Sequence, residues 1–565
     1  LIQGLLFEKP KARTIDSVPR ICLRPYQHDS ITGIIDQFKA CRSTLLVLPT
    51  GCGKTICFAA LIDRMKSGRC MVLAHREELV FQAADKIKRV TGESCDIEMA
   101  NHWADDYGNA RIVVSSIQTQ IAGENGNGRM TRFRPHDFSL IIIDEAHHAT
   151  AGSYRKVIDW YKRNPEVKIL GVTATPDRHD EEALGQIFET VAYDYEINNA
   201  VNDGWLTPIK VSSVVVDGLD FSGIRTTAGD LNGADLAQVM EEERNLHAIA
   251  APTIELARGR KTLVFASSVA HAERLCEIFN RHISGCANWV CGKTNKEERR
   301  RIFKDYARGN FQFLCNVGVA TEGFDEPGIE VISLARPTKS RALYAQMIGR
   351  GTRPLPGVVD GVTEDAARRR AIAESRKPFL EVIDFVGNSG RHKLISAADI
   401  LGGNYSDEVV ERAERNAREK SKSEGTPADI MEELERAERQ IHEEKKAERE
   451  RRRRIIGTAA YSINEIDPFD LFDIEPQRER GWHKGKPLSE KMEAMLKRNG
   501  FDPTKLNYTH AKQVIGEIIN HPEKLPCTPG QAKVLRRFGY QPNEINKEQA
   551  STLIDAIAKN GWKRP

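Results

Sequence analysis

One short stretch constrains this chain more than any other: Leu48-Pro49-Thr50-Gly51-Cys52-Gly53-Lys54-Thr55. The apolar run Thr44 to Val47 leads into it, and a helical apolar pattern from Ile56 to Ile62 follows. Strand, glycine loop and helix, in that order, are what a phosphate-binding loop needs. Glycines let successive backbone N–H groups turn toward an anion, and the helix aims its positive end at the same place. Thr50, Gly51, Cys52 and Gly53 supply the cradle. Lys54 reaches the β- and γ-phosphates, and the Thr55 hydroxyl suits Mg²⁺. The general loop opens on glycine; here Leu48 takes that place.

Leu140-Ile141-Ile142-Ile143-Asp144-Glu145-Ala146-His147-His148 is the second strong feature. Consecutive apolar residues predict a parallel strand buried on both faces. Two carboxylates follow at its carboxyl end, where ligands bind in open α/β sheets. Asp144 suits Mg²⁺ through water, and Glu145 suits the orientation or deprotonation of an attacking water. A further strand, Ile169 to Pro176, ends in Thr173 and Thr175. Upstream of the loop, Gln27 offers a donor and an acceptor to an adenine edge, and Arg24 can stack on the base. Between these features the sequence predicts a strand at Cys70–Arg76, a helix at Glu77–Arg89 and a strand at Arg111–Thr119 with a polar end.

Around Gly204, the stretch Val201–Pro208 reads as a joint, after which the α/β alternation restarts. Strands are expected at Thr262–Ala266, Phe311–Val317 and Glu330–Ala335, with a helix at Val269–Phe279. Gln346, Gly349, Arg350 and Arg353 stand at i, i+3, i+4 and i+7, so one helical face is expected to carry them all. Two arginines on that face can clamp a γ-phosphate, and Gly349 lets the face come close to its target.

The phosphate loop, Asp144-Glu145-Ala146-His147 and Thr173-Ala174-Thr175, in this order and spacing, resemble the first motor domain of superfamily 2 helicases. The resemblance covers about residues 20 to 400. It implies ATP and Mg²⁺ as cofactors and nucleic acid as partner. It implies catalytic roles for Lys54, Asp144, Glu145, Gln346, Arg350 and Arg353, with the two arginines at finger positions. Gly323 and Asp325 would touch nucleotide; Arg76, Ser116, Gln118 and Thr321 would touch the nucleic-acid backbone; His147, Thr173 and Thr175 would couple the two sites. The phrases Glu322 to Asp325, Ala335 to Thr338 and Gln346 to Arg353 look most like the branch of restriction-enzyme motors and RadD-type helicases, which favours DNA over RNA. That branch usually carries a cysteine zinc module after the motor, and none is seen here. The expected activity is helicase or translocase; the alternatives are a duplex translocase that separates no strands and an ATP-switched adaptor.

The expected fold class is α/β: two tandem RecA-like parallel-sheet domains, a charged helical linker and a small all-α repeat module. The expected boundaries are an N-terminal extension at 1–20, ATP-binding domain 21–205, second domain 206–402, linker 403–483 and repeat module 484–565. In the linker, Thr426-Pro427-Ala428-Asp429 predicts a helix start, with Ile430, Leu434, Ala437 and Ile441 as a narrow apolar stripe. The repeats, 487–525 and 526–564, align Leu496, Gly500, Ala511 and Ile518 with Leu535, Gly539, Ala550 and Ile557. The net charge of the chain is only +3, yet residues 484–565 hold 15 Lys and Arg against 8 Asp and Glu. That local excess suits a nucleic-acid anchor, and a protein-docking role is the alternative. Eleven scattered cysteines without a Cys-x-x-Cys pair argue against a zinc ribbon or disulfide framework and for a reducing, cytoplasmic setting. No apolar run approaches membrane length, and Leu1–Phe7 is short for a signal peptide.

Overall fold

The structure is a computed structural model that describes residues 22–105, 110–123, 128–174, 183–227, 229–319, 324–388, 394–402, 405–424, 428–456, 468–472, 474–525, 529–540 and 545–562. In chain order the strands are β1 (Ser43–Val47), β2 (Arg69–Ala74), β3 (Cys95–Glu98), β4 (Ile112–Ser116), β5 (Phe138–Asp144), β6 (Lys168–Thr173), β7 (Thr190–Asp194), β8 (Ile209–Asp220), β9 (Thr226–Thr227), β10 (Asp230–Leu231), β11 (Thr262–Phe265), β12 (Ala287–Cys291), β13 (Phe313–Val317), β14 (Val331–Leu334), β15 (Leu380–Asn388) and β16 (Ala428–Asp429). The chain forms two compact units. One comprises Leu1–Arg42, Gly53–Asp144 and Lys156–Leu170; the other comprises Ser43–Cys52, Glu145–Arg155 and Gly171–Pro565.

In the first unit the strands run β3-β4-β2-β5, all parallel. Strands β2 and β4 are buried along their whole length, and Ile141, Ile142 and Ile143 of β5 are fully buried. Parallel strands covered on both faces need continuous apolar runs, which is what the sequence carries. The helix Glu77–Thr91 follows β2. Glu77 and Glu78 sit at its positive end, and Gly92 in the left-handed region closes it. The strand expected at Arg111–Thr119 stops at Ser116 instead. The Ser116 Oγ accepts the Thr119 N–H at 3.2 Å and caps the short helix Ile117–Ile121.

The second unit holds β1, β7 and the end of β6 from Gly171, in the order β6-β1-β7, with β1 and β7 parallel. It also holds a seven-stranded sheet ordered β12-β13-β11-β14-β15-β8-β16, parallel except for β16 against β8. The Phe279 and Phe313 rings stack 4.4 Å apart in its core. Two expectations are corrected here. The helix Arg341–Gly349 ends at Gly349, so Gln346 lies on it, Arg350 caps it and Arg353 lies beyond it. The four residues therefore do not share one helical face. Gly351 explains the stop: a Cβ there would lie 2.4 Å from Leu380, so the chain must turn under the sheet core.

The charged stretch expected as a linker is built into the second sheet. Ala428 and Asp429 form the antiparallel edge strand against Val211 and Lys210. The helices Asp407–Glu424 and Ile430–Ile456 flank it, with Val409, Val410, Ala413 and Ala417 buried on one and Ile430, Leu434, Ala437 and Ile441 on the other. Asp429 provides the helix cap: its Oδ1 accepts the Met431 and Glu432 N–H groups at 3.1 and 3.3 Å. Thr426 and Pro427 lie outside the described residues.

Each C-terminal repeat forms two helices: Glu490–Arg498 with Tyr508–Asn520, and Pro529–Arg537 with Lys547–Lys559. Gly500 and Gly539 turn the chain at φ of 87° and 77°. Phe501 packs with Leu496, Ala511, Val514 and Ile518, while Leu535, Ala550 and Ile557 centre the second copy. Phe469 and Phe472 complete the first copy's core, while Glu475 pairs with Lys445 at 2.8 Å, so the segment before Lys484 joins the repeats to the charged helix Ile430–Ile456. Buried Arg480 pairs with Asp194 and Glu196 and lies 4.6 Å from the Trp482 ring, which ties this segment to the end of β7. Among the described residues no helix is long and apolar enough to cross a membrane.

Candidate nucleotide site and nucleic-acid track

In the first unit the helix Lys54–Arg64 opens on Gly53, whose φ is 78°. A Cβ at Gly53 would lie 2.6 Å from the Gln27 Nε2. The positive φ favours glycine here, and the missing Cβ leaves room for the Gln27 amide beside the loop. Gln27 is buried, and its Oε1 accepts the Arg24 N–H at 3.0 Å. Arg24 Nη1 reaches the Tyr26 hydroxyl at 3.4 Å. Gln27 thus lies against the loop at Gly53, with its acceptor engaged by the Arg24 N–H rather than left for a base. Lys54 and Thr55 start the helix, and Asp144 ends β5 with little exposure. Among the described residues no cluster of three or more His, Cys, Asp or Glu is arranged to hold a metal by itself. One hydroxyl and one carboxylate fit Mg²⁺, which binds through one or two protein oxygens together with substrate phosphates.

In the second unit Glu145 stands in the left-handed region, at φ 50°, just after β5. A non-glycine residue there costs about 1–3 kcal/mol, and such strain gathers at active sites. The turn brings the Glu145 carboxylate to 3.5 Å from His147 Nδ1. The same nitrogen lies 3.3 Å from the Thr173 Oγ1. Thr173 is fully buried, and its carbonyl accepts the Leu48 N–H at 3.0 Å at the start of the phosphate loop. Glu145, His147, Thr173 and the loop are thus one connected chain of contacts. Thr175 lies outside the described residues, as do Thr321 and Gly323.

Thr50 and Gly51 meet the end of the helix Arg341–Gly349. A Cβ at Gly349 would lie 2.5 Å from the Thr50 Cβ, and one at Gly51 would lie 3.3 Å from the Arg353 Cγ. Gly349 lets the helix end approach Thr50 closely, while Gly51 supplies a positive φ of 94°. Cys52 is fully buried, and its N–H donates to the Pro49 carbonyl at 3.2 Å. Arg353 pairs with Asp325, and Arg350 Nη1 donates to the Phe324 carbonyl at 2.8 Å. Gln346 is buried beside them on its helix.

Sequence reasoning missed two residues of this neighbourhood. Lys377 is 1% exposed and donates to the carbonyls of Arg353 and Pro327 at 2.7 and 2.8 Å. Burial pushes its pKa down to about 7, against the pull of Glu330 and Glu326. Arg368 is equally hidden; it donates to the Asp203 carbonyl at 2.8 Å and lies 3.8 Å from the Trp205 ring. A Cβ at Gly204 would strike it at 2.8 Å, so the expected joint is clamped by an arginine from far along the chain. No local pattern marks either residue, because both act through carbonyls brought up by the fold.

Of the residues expected to touch nucleic acid, Arg76, Ser116 and Gln118 lie in the first unit. Arg76 caps the helix after β2. Ser116 ends β4, which pairs with β2 at Ala74. Gln118 is exposed, and its Nε2 donates to the His75 carbonyl at 2.8 Å. Arg76, Ser116 and Gln118 thus share one edge of the sheet, at the carboxyl ends of adjacent strands.

The comparisons agree with this architecture. Residues 20–178 match the family model described as type III restriction enzyme, res subunit, and residues 244–354 match the helicase conserved C-terminal domain. The ATP-dependent helicase IRC3 of Saccharomyces cerevisiae is 28% identical over 496 residues, covering 84% of this chain and 68% of that protein. A mitochondrial ATP-dependent helicase of Schizosaccharomyces pombe is 32% identical over 356 residues, covering 60% and 56%. The solved structure of the ATP-dependent type ISP restriction-modification enzyme LlaBIII bound to DNA shares the fold at a TM-score of 0.52 and 15% identity, over 96% of this chain and 40% of that one. With its phosphate loop, its Asp144-Glu145-Ala146-His147 turn and the arginines that follow the helix Arg341–Gly349, the chain is similar to the ATP-dependent helicases and restriction-enzyme motors of superfamily 2.

Proposed function

We propose that this chain uses ATP hydrolysis to move along DNA, with residues 21–205 and 206–402 as its two motor domains. The observation that carries the reading is the connected chain Glu145–His147–Thr173–Leu48, which joins a candidate general base to the phosphate loop. The loop amides and Lys54 hold the triphosphate. Thr55 and Asp144 would hold Mg²⁺, which supplies charge neutralisation at the phosphates. Glu145 accepts a proton from water as the water oxygen attacks the γ-phosphorus. The bond to the bridging oxygen breaks, leaving ADP and phosphate. Arg350 and Arg353 meet the charge that develops in the transition state. His147 lies between Glu145 and Thr173, so a change at the carboxylate reaches the strand end that supports the loop.

DNA is favoured because the matching family model is that of a restriction-enzyme subunit. ATPase assays with tailed DNA and RNA duplexes, beside strand-displacement and triplex-displacement assays, test the proposal. DNA-stimulated hydrolysis with displacement in either assay is the expected result. Hydrolysis indifferent to any nucleic acid would sink it and favour an ATP-switched adaptor. The C-terminal repeats serve as an accessory nucleic-acid anchor in this scheme. A chain ending at Ile455 should keep stimulation but need more DNA for half of it, with the gap shrinking as salt rises. An unchanged half-stimulating concentration at low salt would point to a protein partner instead.

A further inference from the structure

Beyond the end of β3 the first unit displays an aromatic group that no part of the motor scheme uses. Met99 and His102 form a two-way backbone bridge, at 3.0 and 2.7 Å, around a tight turn at Ala100 and Asn101. Ala100 stands at φ 48°, a conformation that an alanine rarely adopts. The turn is over-determined. Arg129 donates to the Ala100 and His102 carbonyls at 2.7 and 2.9 Å and pairs with Glu98, which is fully buried. The Ala100 N–H donates to the Thr119 Oγ1 at 3.4 Å, and that oxygen accepts the Ser116 hydroxyl at 2.7 Å.

What this framework presents is Trp103, 61% exposed. The Arg129 guanidinium carbon lies 3.5 Å from the indole centroid, and that of Arg132 lies 4.7 Å away. Phe81, 39% exposed, stands edge-on to His102 at 5.5 Å. An indole serving only to pack would be covered. This one is held rigid by stacked arginine while most of its surface stays open. Asp96 and Asp105 lie on the same edge, joined through the Asp105 N–H at 3.1 Å, so net charge is not the attraction. The aromatic face is.

We infer that Trp103 is a stacking platform for a base of single-stranded nucleic acid, set at the outer end of the track that begins at Arg76. This rests on the proposed DNA motor. Strands β3, β4 and β2 are adjacent and parallel, so β3 and β2 lie about two strand spacings, or ~10 Å, apart. A strand whose phosphates follow Arg76 and Gln118 therefore brings its next bases over the turn after β3. Phosphate contacts position such a strand but hold no base; an open indole supplies what they lack. The Ser116–Thr119–Ala100 hydrogen bonds make the platform and the phosphate-contacting edge one rigid piece.

The test uses the full chain and fluorescence anisotropy with two labelled oligomers of equal length, oligothymidine and its abasic counterpart. Trp103→Ala should weaken oligothymidine binding by about 5- to 100-fold and leave the abasic oligomer unaffected. That loss should persist as salt rises, and Trp103→Phe should restore most of it. Arg76→Ala should weaken both oligomers and make the salt dependence shallower by about one phosphate contact. Parental affinity in Trp103→Ala, or an equal loss on both oligomers, overturns the platform while leaving the motor standing. A parent chain that binds neither oligomer overturns the DNA reading itself.

Discussion

Two turns in this molecule are built alike and serve different ends. Each follows the carboxyl end of a parallel strand, β5 in one case and β3 in the other. Each puts a residue other than glycine in the left-handed region, Glu145 at φ 50° and Ala100 at φ 48°. Each is tied to a neighbouring strand end through a threonine hydroxyl, Thr173 in the first and Thr119 in the second. They differ in what the strain presents. At Glu145 the strained residue is itself the ionisable group, so the turn aims chemistry. At Ala100 the strained residue is inert, and the turn aims the side chains that follow it, His102 and Trp103. A left-handed residue thus identifies a place where direction matters, and the side chains around it say whether the direction serves catalysis or recognition.

The largest effect should fall on the hydrolytic side. Arg350→Ala or Arg353→Ala should lower turnover by about 10³–10⁵-fold with far less change in KM for ATP, because these groups meet charge that appears in the transition state. An affinity loss at unchanged kcat would move them to ground-state binding. Glu145→Gln should lower turnover by about 10²–10⁴-fold while ATP stays bound. Equilibrium binding of a labelled nucleotide beside steady-state ATPase separates the two; parental hydrolysis in this variant would make the Glu145 turn a second turn of the Ala100 kind.

On the recognition side Thr119→Val removes the hydroxyl shared by Ala100 and Ser116. The DNA concentration for half-stimulation should rise by roughly 2- to 10-fold, as expected for loss of one or two hydrogen bonds, with KM for ATP unchanged. If KM for ATP rises instead, the two turns are not separate devices. The smallest effect concerns pH. Lys377 supports the Arg353 carbonyl and titrates near 7 in the folded chain, against the ordinary lysine value of 10.5 in the unfolded chain. Between those values the unfolded chain holds more protons, so this residue adds stability as pH rises through the window and withdraws it as pH falls toward 7. Urea denaturation at about pH 7 and about pH 9.5 should show that rise in the parent and a flatter profile in Lys377→Met. Equal slopes would remove Lys377 from the titrating groups that matter here.

What could be read from the chain without its fold was everything carried by neighbours in sequence. The phosphate loop, the Ile141–Ile143 run and the paired carboxylates after it are local patterns, because a buried parallel strand and an anion-binding turn each impose their chemistry within about ten residues. The C-terminal repeats were legible for the same reason: a glycine stop and a recurring apolar set define a helix pair by themselves. The shared helical face of Gln346, Gly349, Arg350 and Arg353 was misread because the helix ends where Gly351 passes beneath Leu380, a residue distant in sequence. The charged stretch after residue 403 looked like a linker because its strand, Ala428 and Asp429, exists only through pairing with β8.

Only the tertiary structure could decide the rest. Lys377 and Arg368 act on backbone carbonyls, which every residue possesses and no sequence pattern advertises. Trp103 sits in an unremarkable polar stretch, and its exposure depends on Arg129 folding back to hold the turn. The sequence alone determined the phosphate loop, the buried parallel strands beside it and the repeat helices, because propensity, periodicity and loop chemistry act over short distances. Which groups meet, and which stay open to solvent, was decided by packing between segments far apart along the chain, where the free energy of burial and of satisfied hydrogen bonds is settled.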